Sequence, residues 1–145
     1  MDDETEEERE SYARHWAMTG SGVAGPDGHA RVSFTCGLCC VFAAALHDRT
    51  GWRIVAEYEN GGGDLAHAWV VDPDGRAVDV NGVHEGGWAR TPYSEKEPGP
   101  VRRLGRDECL RIDGNLDEDY LWAAGLIEAW PELYGVASIN PGQKI

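Results

Sequence analysis

The stretch LAHAWVVDPDGRAVDV, residues 65–80, predicts a β-hairpin, because two β-prone runs lie on either side of a four-residue turn signal. Pro is typical of the first central position of a type I turn, Asp of the second, and Gly of the left-handed residue that follows. This chemistry favours a three-residue loop in which Asp72 pairs with Arg76. A two-residue loop would pair Asp72 with Gly75 and would reverse which side chains share a face of the sheet.

The predicted register decides whether two ionisable side chains of the hairpin can meet. Because side chains alternate between the faces of a strand, His67 and Asp79 share a face only with the three-residue loop. Asp79 then lies opposite Trp69 and diagonal to His67, at roughly 7–8 Å between backbones, which a carboxylate–imidazole hydrogen bond can span. The turn therefore predicts a His67–Asp79 pair. The other histidines are predicted to be structural: His15, His29, His47 and His84.

Three cysteines lie upstream of the hairpin in FTCGLCC, residues 34–40, directly before a run of helix formers. The pattern predicts a helix that opens at Thr35 or Gly37, runs to about Asp48 and stops at Gly51. In a chain with no secretory signal, cysteines are more typical of free thiols, metal ligands or catalysts than of disulfides. The crowding of these three also argues against a disulfide framework.

Helical spacing distinguishes one of these thiols from the others. Cys39 shares a helix face with the apolar residues three, four and seven positions later, and this face is expected to meet the sheet. Cys39 is therefore directed toward the strand of His67, whereas Cys40 points about 100° away and Cys36 precedes the helix. A helix N-terminus and a neighbouring imidazolium both lower the pKa of a thiol. Cys39 is the predicted nucleophile, with a buried thiol that acts as a small hydrophobe as the alternative.

The remaining chain predicts further elements around the hairpin. In order these are a helix within 3–18, a short strand or extended lead-in over ARVSF (30–34), a strand over WRIVAEYE (52–59), mostly loop over 82–107, a possible strand over ECLRI (108–112) and a helix over 115–130 closed by Pro131. We expect an α+β fold with the nucleophile-bearing helix packed on a small antiparallel sheet. The expected organisation is an acidic flexible tail (1–10), one domain (11–135) and an irregular tail (136–145).

Composition narrows the classes of partner. The 145 residues carry a net charge of −13, and about half of it lies in MDDETEEERE, residues 1–10. Such acidity argues against a nucleic-acid partner, because phosphates would be repelled. No apolar run approaches the roughly 18–20 residues that span a membrane, and the acidic start is unlike a secretory signal. A cytoplasmic protein is expected, and its oligomeric state is left open.

The order of these motifs resembles the transglutaminase-like branch of the papain-type cysteine enzymes. The resemblance rests on GLCCVFAAALHDRTGW (37–52), HAWVV (67–71) and AVDVNG (77–82). It implies that Cys39 attacks an acyl carbon, that His67 activates the thiol, and that Asp79 orients the imidazole.

The implied activity is acyl transfer from a protein or peptide substrate, at a peptide or glutamine amide, through a thioester, as in a peptidase, deamidase or transglutaminase-like enzyme. Neither a cofactor nor a metal is expected. The oxyanion would be held by the backbone N–H of Cys39, aided by Ser33 or Thr35. The side chains predicted to line the substrate site are Trp69 and Trp88, with Arg90 and Tyr93 as further candidates.

Two other classes of function remain open from the sequence. The CGLC segment, residues 36–39, is compatible with a redox dithiol or with zinc bound by cysteines and His67. The acidic segments are compatible with an interaction module that has no catalytic role.

Overall fold

The computed structural model describes residues 26, 28–60, 63–91, 94, 97–113 and 117–136. The predicted acidic tail, the helix predicted within 3–18 and nearly all of the predicted tail 136–145 lie outside these residues. The described helices are α1 (Gly28–Cys36), α2 (Cys39–Thr50), α3 (Arg106–Ile112) and α4 (Asp117–Ala129). The described strands are β1 (Arg53–Tyr58), β2 (Leu65–Val71), β3 (Ala77–Asp79), β4 (Gly82–His84) and β5 (Val101–Leu104).

The strands form one antiparallel sheet in the order β4-β3-β2-β1-β5. Its five strands exceed the three or four that the sequence predicted, because the segment 82–107 contributes β4 and β5 where loop was expected. Helices and an antiparallel sheet share a core, so the predicted α+β class is confirmed.

The turn between β2 and β3 has the predicted three-residue form. Asp72 N–H donates to the Arg76 carbonyl at 2.9 Å, and Val71 pairs with Ala77. Gly75 has a φ of +82°, the left-handed conformation that glycine adopts without steric cost. The Asp72 carboxylate accepts the backbone N–H groups of Asp74 and Arg76, each at 2.9 Å. The turn is therefore held by local hydrogen bonds that its own sequence specifies.

Helix α2 is the centre of the core. Its residues from Cys39 to Leu46 are all buried, because α1, α3, α4 and the sheet pack around it. On the sheet it contacts the face formed by Ile54, Ala68, Val70 and Val78. The alternate face carries a smaller apolar cluster that includes Trp69. The helix stops at Gly51 as predicted, with its last residue at Thr50.

The start of α2 differs from the prediction, because the segment before it is also helical. ARVSF lies within α1 instead of a strand, and Cys36 is the last residue of α1. Phe34 packs on Phe42 and Trp122, with ring centroids 5.4 and 4.6 Å apart, and these tertiary contacts stabilise helix over the extended form that Val32 favours. Gly37 and Leu38 form the connection, so α2 begins at Cys39.

The predicted strand over ECLRI is also wrong, since these residues belong to α3. Asp107 and Glu108 lie in its first turn, where negative side chains stabilise a helix N-terminus. Adjacent Cys109 and Leu110 are both buried against α2, which an alternating strand would not allow. In the described part of the chain, no helix is long and apolar enough to cross a membrane.

Candidate active site

His67 and Asp79 form a buried ion pair. The Nε2 atom of His67 lies 2.8 Å from Oδ2 of Asp79, and the two residues are 2% and 3% exposed. A carboxylate paired with an imidazole is ionised and can only accept a hydrogen bond, so Nε2 carries the hydrogen and donates it. The predicted pair is thus present, on the face that the three-residue turn gives to both residues.

Cys39, the first residue of α2, lies near the imidazole of His67. Nδ1 of His67 is buried, and no hydrogen bond of regular geometry reaches it in the described part of the chain. The Cys39 thiol is nevertheless close enough to act on the pKa of His67, and His67 acts on that of Cys39. The ring is therefore held at Nε2, and its Nδ1 has no hydrogen-bond partner among the described residues. Serine-protease triads use the two nitrogens the other way round.

The electrostatics of the three groups favour an imidazolium and a carboxylate. Burial alone would lower the pKa of His67, but the hydrogen bond and charge of Asp79, together with the Cys39 thiol, outweigh it and raise that pKa to about 10. Burial alone would raise the pKa of Asp79, but the charge of His84 and the hydrogen bond from His67 hold it well below its usual value. At neutral pH the pair is thus His67 imidazolium with Asp79 carboxylate.

The Cys39 thiol is in its neutral form in this arrangement. Hydrogen bonding with the Cys40 thiol and then burial raise the pKa of Cys39 well above its usual value, against the opposing effect of His67. This direction differs from the lowered pKa that the sequence predicted. The reason is the contact with Cys40, which helical spacing had directed away from the site.

The outer side of the α2 N-terminus is occupied by α3 and the residue that follows it. Cys109 donates its S–H to the Cys40 carbonyl at 3.1 Å, and Asp113 accepts the N–H of Val41 at 3.0 Å. Asp113 also accepts the N–H of Cys40, and burial outweighs these bonds to raise the pKa of the Asp113 carboxyl. Cys39, Cys40 and Cys109 are all free thiols.

The backbone donors at this helix end limit where an oxyanion could bind. The first N–H groups of a helix have no intrahelical partner, and Asp113 takes those of Cys40 and Val41. The N–H of Cys39 is therefore the donor beside the sulfur. The Thr35 hydroxyl, a candidate from the sequence, donates to the Arg31 carbonyl at 2.6 Å and accepts from Asn81 at 3.3 Å, so its hydrogen is already used.

His84 belongs to the site, although the sequence assigned it a structural role. Its Nε2 lies 2.8 Å from Oδ1 of Asp79, so that one carboxylate holds two imidazoles through its two oxygens. The contact arises because β4 pairs Ala77 with His84 and Asp79 with Gly82, which puts His84 on the face of Asp79. The signal in the sequence was the Asn81–Gly82 pair, a hairpin turn marker.

A small pocket reaches His67 from the surface. It is lined by Glu57, Tyr58, Glu59, Ala66, His67, Thr91, Ser94 and Gly99. Glu57 is 4% exposed, and its two oxygens accept the Trp88 indole N–H at 2.9 Å and the Gly99 N–H at 2.8 Å. Trp88 and Gly99, at the two ends of the segment 88–99 (hereafter the 88–99 loop), are thus both fastened to one buried carboxylate, and Thr91, Ser94 and Gly99 line the pocket.

The predicted substrate-lining residues occupy different environments. Trp69 is 1% exposed, its ring centroid is 5.9 Å from that of His67, and it has no surface to offer a ligand. Trp88 is half-buried and anchors the 88–99 loop, while the guanidinium of Arg90 lies over its ring at 5.6 Å. Tyr93 lies outside the described residues. Trp69 therefore shields the imidazole, and the accessible wall comes from the loop.

Among the described residues, no group of three or more His, Cys, Asp and Glu side chains could hold a metal ion. What the described residues do bring together is a hydrogen-bonded imidazole–carboxylate pair with a buried thiol near the imidazole.

Comparison of the chain with protein-family models, with curated proteins and with solved structures finds no match.

Proposed function

We propose that the protein is a cysteine-dependent acyl-transfer enzyme in which Cys39 is the nucleophile, His67 the proton carrier and Asp79 the residue that orients His67. The observation that carries the proposal is the division of labour between the two nitrogens of His67. Nε2 is held by Asp79 at 2.8 Å, whereas Nδ1 is buried without a hydrogen bond, and His67 and the Cys39 thiol act on each other's pKa. An orienter, a base and a nucleophile in this order are the requirements of nucleophilic catalysis.

The reactive form holds one proton between the sulfur and Nδ1, so the resting pair loses one proton before reaction. The Cys39 thiolate then attacks a carbonyl carbon and forms a C–S bond, while the N–H of Cys39 binds the oxyanion. The imidazolium gives its Nδ1 proton to the leaving amine as the C–N bond breaks, which leaves a thioester. Water or a second amine loses a proton to Nδ1, attacks the thioester and breaks the C–S bond.

The proposed substrate is a protein or peptide amide, with hydrolysis and transfer as the two outcomes of the same thioester. Entry to His67 is through the pocket walled by the 88–99 loop, where Thr91 and Ser94 supply hydroxyl groups. We place this chemistry in the cytoplasm, because a nucleophilic thiol with two thiol neighbours requires a reducing compartment.

Acylation by a small activated ester tests the proposal without a known substrate. Incubation with p-nitrophenyl acetate is expected to leave an acetyl group on Cys39 alone, detected by mass spectrometry of peptides. Because His67 stabilises the thiolate, His67→Ala is expected to slow acetylation at least about tenfold, equivalent to a thiol pKa about one unit higher.

His47→Ala is the matched control. His47 lies in α2, the helix of Cys39, but its ring binds the Trp52 carbonyl at 2.7 Å, away from the site. The rate of this variant should equal that of the unmodified protein. Acetylation that persists in Cys39→Ala, or that is equally slow in His47→Ala and His67→Ala, would show that this group of residues is not a nucleophilic site.

A further inference from the structure

His84 is the one imidazole of the site that reaches the protein surface. Its side chain is 19% exposed, whereas those of His67 and Asp79 are each 3% exposed. It ends β4, directly before the 3₁₀ turn Glu85–Gly87. The proposed reaction assigns it no step, yet its contact with Asp79 is as short as that of His67. A second donor of this kind on an orienting carboxylate needs an explanation.

The hydrogen bonds around Asp79 explain why its carboxylate has a second imidazole donor. Oδ1 accepts both His84 Nε2 at 2.8 Å and the Asn81 N–H at 2.9 Å, and only Oδ2 is left for His67. Two donors on one oxygen fix the rotation of the carboxyl group about its bond to Cβ. Oδ2 then points at Nε2 of His67, which fixes the ring and thereby the direction in which Nδ1 points.

We propose that His84 is a positioning residue that holds the Asp79 carboxylate in the orientation required by His67 and that couples the site to proton exchange at the surface. This role rests on the proposed function of Cys39, His67 and Asp79. Because the two imidazoles share one carboxylate, protonation of one changes the electrostatic environment of the other.

The charged neighbours of His84 are few. Burial would lower the pKa of His84, but Asp79 outweighs it and raises that pKa, and no other charged group acts on it within the described structure. Glu85, next in the chain, pairs with Arg76 at 3.5 Å. From the segment 131–136, Tyr134 is directed to the Val80 carbonyl at 2.8 Å, and burial raises its pKa. Asp79 is therefore the link through which His84 acts.

Side-chain NMR of the unmodified protein tests the coupling without a variant. With ¹⁵N-labelled histidine, the Nε2 resonance of His67 is expected to shift in step with the titration of His84, at a pH where His67 keeps its own proton. A His67 resonance that stays constant while His84 titrates would overturn the coupling. This measurement does not depend on any catalytic activity.

Two substitutions separate the hydrogen bond from the imidazole itself. Gln places an amide N–H near the position of Nε2, so His84→Gln is expected to keep the acetylation rate of Cys39 within about twofold, whereas His84→Ala lowers it about tenfold, as loss of one oriented hydrogen bond to a charged group would. The step-like shift of His67 should disappear in both variants.

Equal rates in the unmodified protein, His84→Gln and His84→Ala would overturn the positioning role, and equally low rates in both variants would overturn the hydrogen-bond explanation. If Cys39 is not acetylated in any form, the proposed function fails, whereas the NMR titration still decides whether His84 and His67 are coupled. Should His84→Ala not fold, the His84→Gln rate and the titration of the unmodified protein decide the question.

Discussion

The protonation state of Cys39 depends on one neighbour on each side of its thiol. His67 favours the thiolate, whereas Cys40 favours the neutral thiol because its sulfur accepts the hydrogen bond that the Cys39 S–H donates. Cys40 is itself in contact with Cys109, and that hydrogen bond is the largest cause of its own raised pKa. The three thiols are thus in contact in the order Cys109, Cys40, Cys39. Cys40, next to the proposed nucleophile, holds it in its unreactive neutral form.

Replacement of Cys40 is therefore expected to activate Cys39. In Cys40→Ala the largest cause of the raised pKa is gone, so the midpoint of Cys39 alkylation by iodoacetamide should move to lower pH. A shift of about one unit would raise the rate about tenfold at a fixed pH below that midpoint. The cost is a small cavity in the core, about 1 kcal/mol of stability.

Cys109→Ala is the control for this experiment, because Cys109 contacts Cys40 and not Cys39. It removes a buried thiol of the same size and should leave the Cys39 midpoint nearly where it was. An unchanged midpoint in Cys40→Ala, or equal shifts in both variants, would contradict the assignment of Cys40 as the residue that restrains Cys39.

At the scale of elements, the 88–99 loop is held by Glu57 of β1. Trp88 at the start of the loop and Gly99 at its end donate to different oxygens of the same carboxylate. The loop leads into β5, and just before that strand the Pro100 carbonyl accepts the Tyr58 N–H at 2.8 Å. Thr91 and Ser94 line the pocket at His67, so the carboxylate of Glu57 holds the ends of a segment that borders the pocket.

Glu57→Gln is expected to loosen this loop. The Gln side chain has one acceptor oxygen and places an N–H₂ group against the other donor, so one of the two hydrogen bonds is lost and a buried N–H is left unsatisfied, at a cost of about 1–3 kcal/mol. Amide hydrogen exchange at Gly99 should accelerate, and alkylation of Cys39 should become faster as the pocket opens.

Glu59→Gln provides the comparison, since Glu59 borders the same pocket but is exposed, and its backbone N–H bonds to the Asp64 carbonyl. In Glu59→Gln, amide hydrogen exchange at Gly99 should match that of the unmodified protein. Equal protection of Gly99 in the two variants would mean that Glu57 does not fasten the loop.

The same elements show what the sequence could predict. The DPDG turn was predictable because Asp72, Pro73 and Gly75 specify it by their own conformations and hydrogen bonds, and with it came the shared face of His67 and Asp79. These inferences needed no knowledge of distant contacts.

The sequence predictions failed where side-chain contacts, and not local sequence patterns, decide the structure or the protonation state. The helical state of ARVSF depends on Phe34 meeting Phe42 and Trp122, and spacing along the chain does not reveal such contacts. The raised pKa of Cys39 depends first on the contact with the Cys40 thiol and then on burial, and neither follows from the helix faces that spacing assigned to the two cysteines.

The role of His84 was within reach of the same parity argument that paired His67 with Asp79. It required treating residues 80–84 as a second tight hairpin. Gly82 has a φ of +110°, and an added Cβ would lie 2.9 Å from Leu133 Cδ1, so glycine is needed at this position in two ways. The Asn81–Gly82 pair was the available signal.

For the whole molecule, the buried imidazole–carboxylate pair should leave a signature in the dependence of stability on pH. The pKa of His67 rises from 6.5 to about 10 on folding, so its contribution is fully present below about pH 6.5 and is lost as pH rises through 10. The pKa of Asp79 falls on folding, so its contribution is present above about pH 3.8 and is lost as pH falls through the lower folded value. Both contributions are complete between about pH 4 and 6.5.

Asp79→Asn isolates this signature from the general effect of the net charge of −13. Measured by urea unfolding, the loss of stability should be about 3–5 kcal/mol near pH 6, because a buried pair is broken by removal of one partner. It should shrink steadily as pH rises toward 10. Asp72→Asn is the control: Asp72 is equally buried, but Arg76 does not titrate in this range, so its loss should stay constant from pH 6.5 to 10. A constant loss for Asp79→Asn as well would show that His67 does not hold its proton through Asp79.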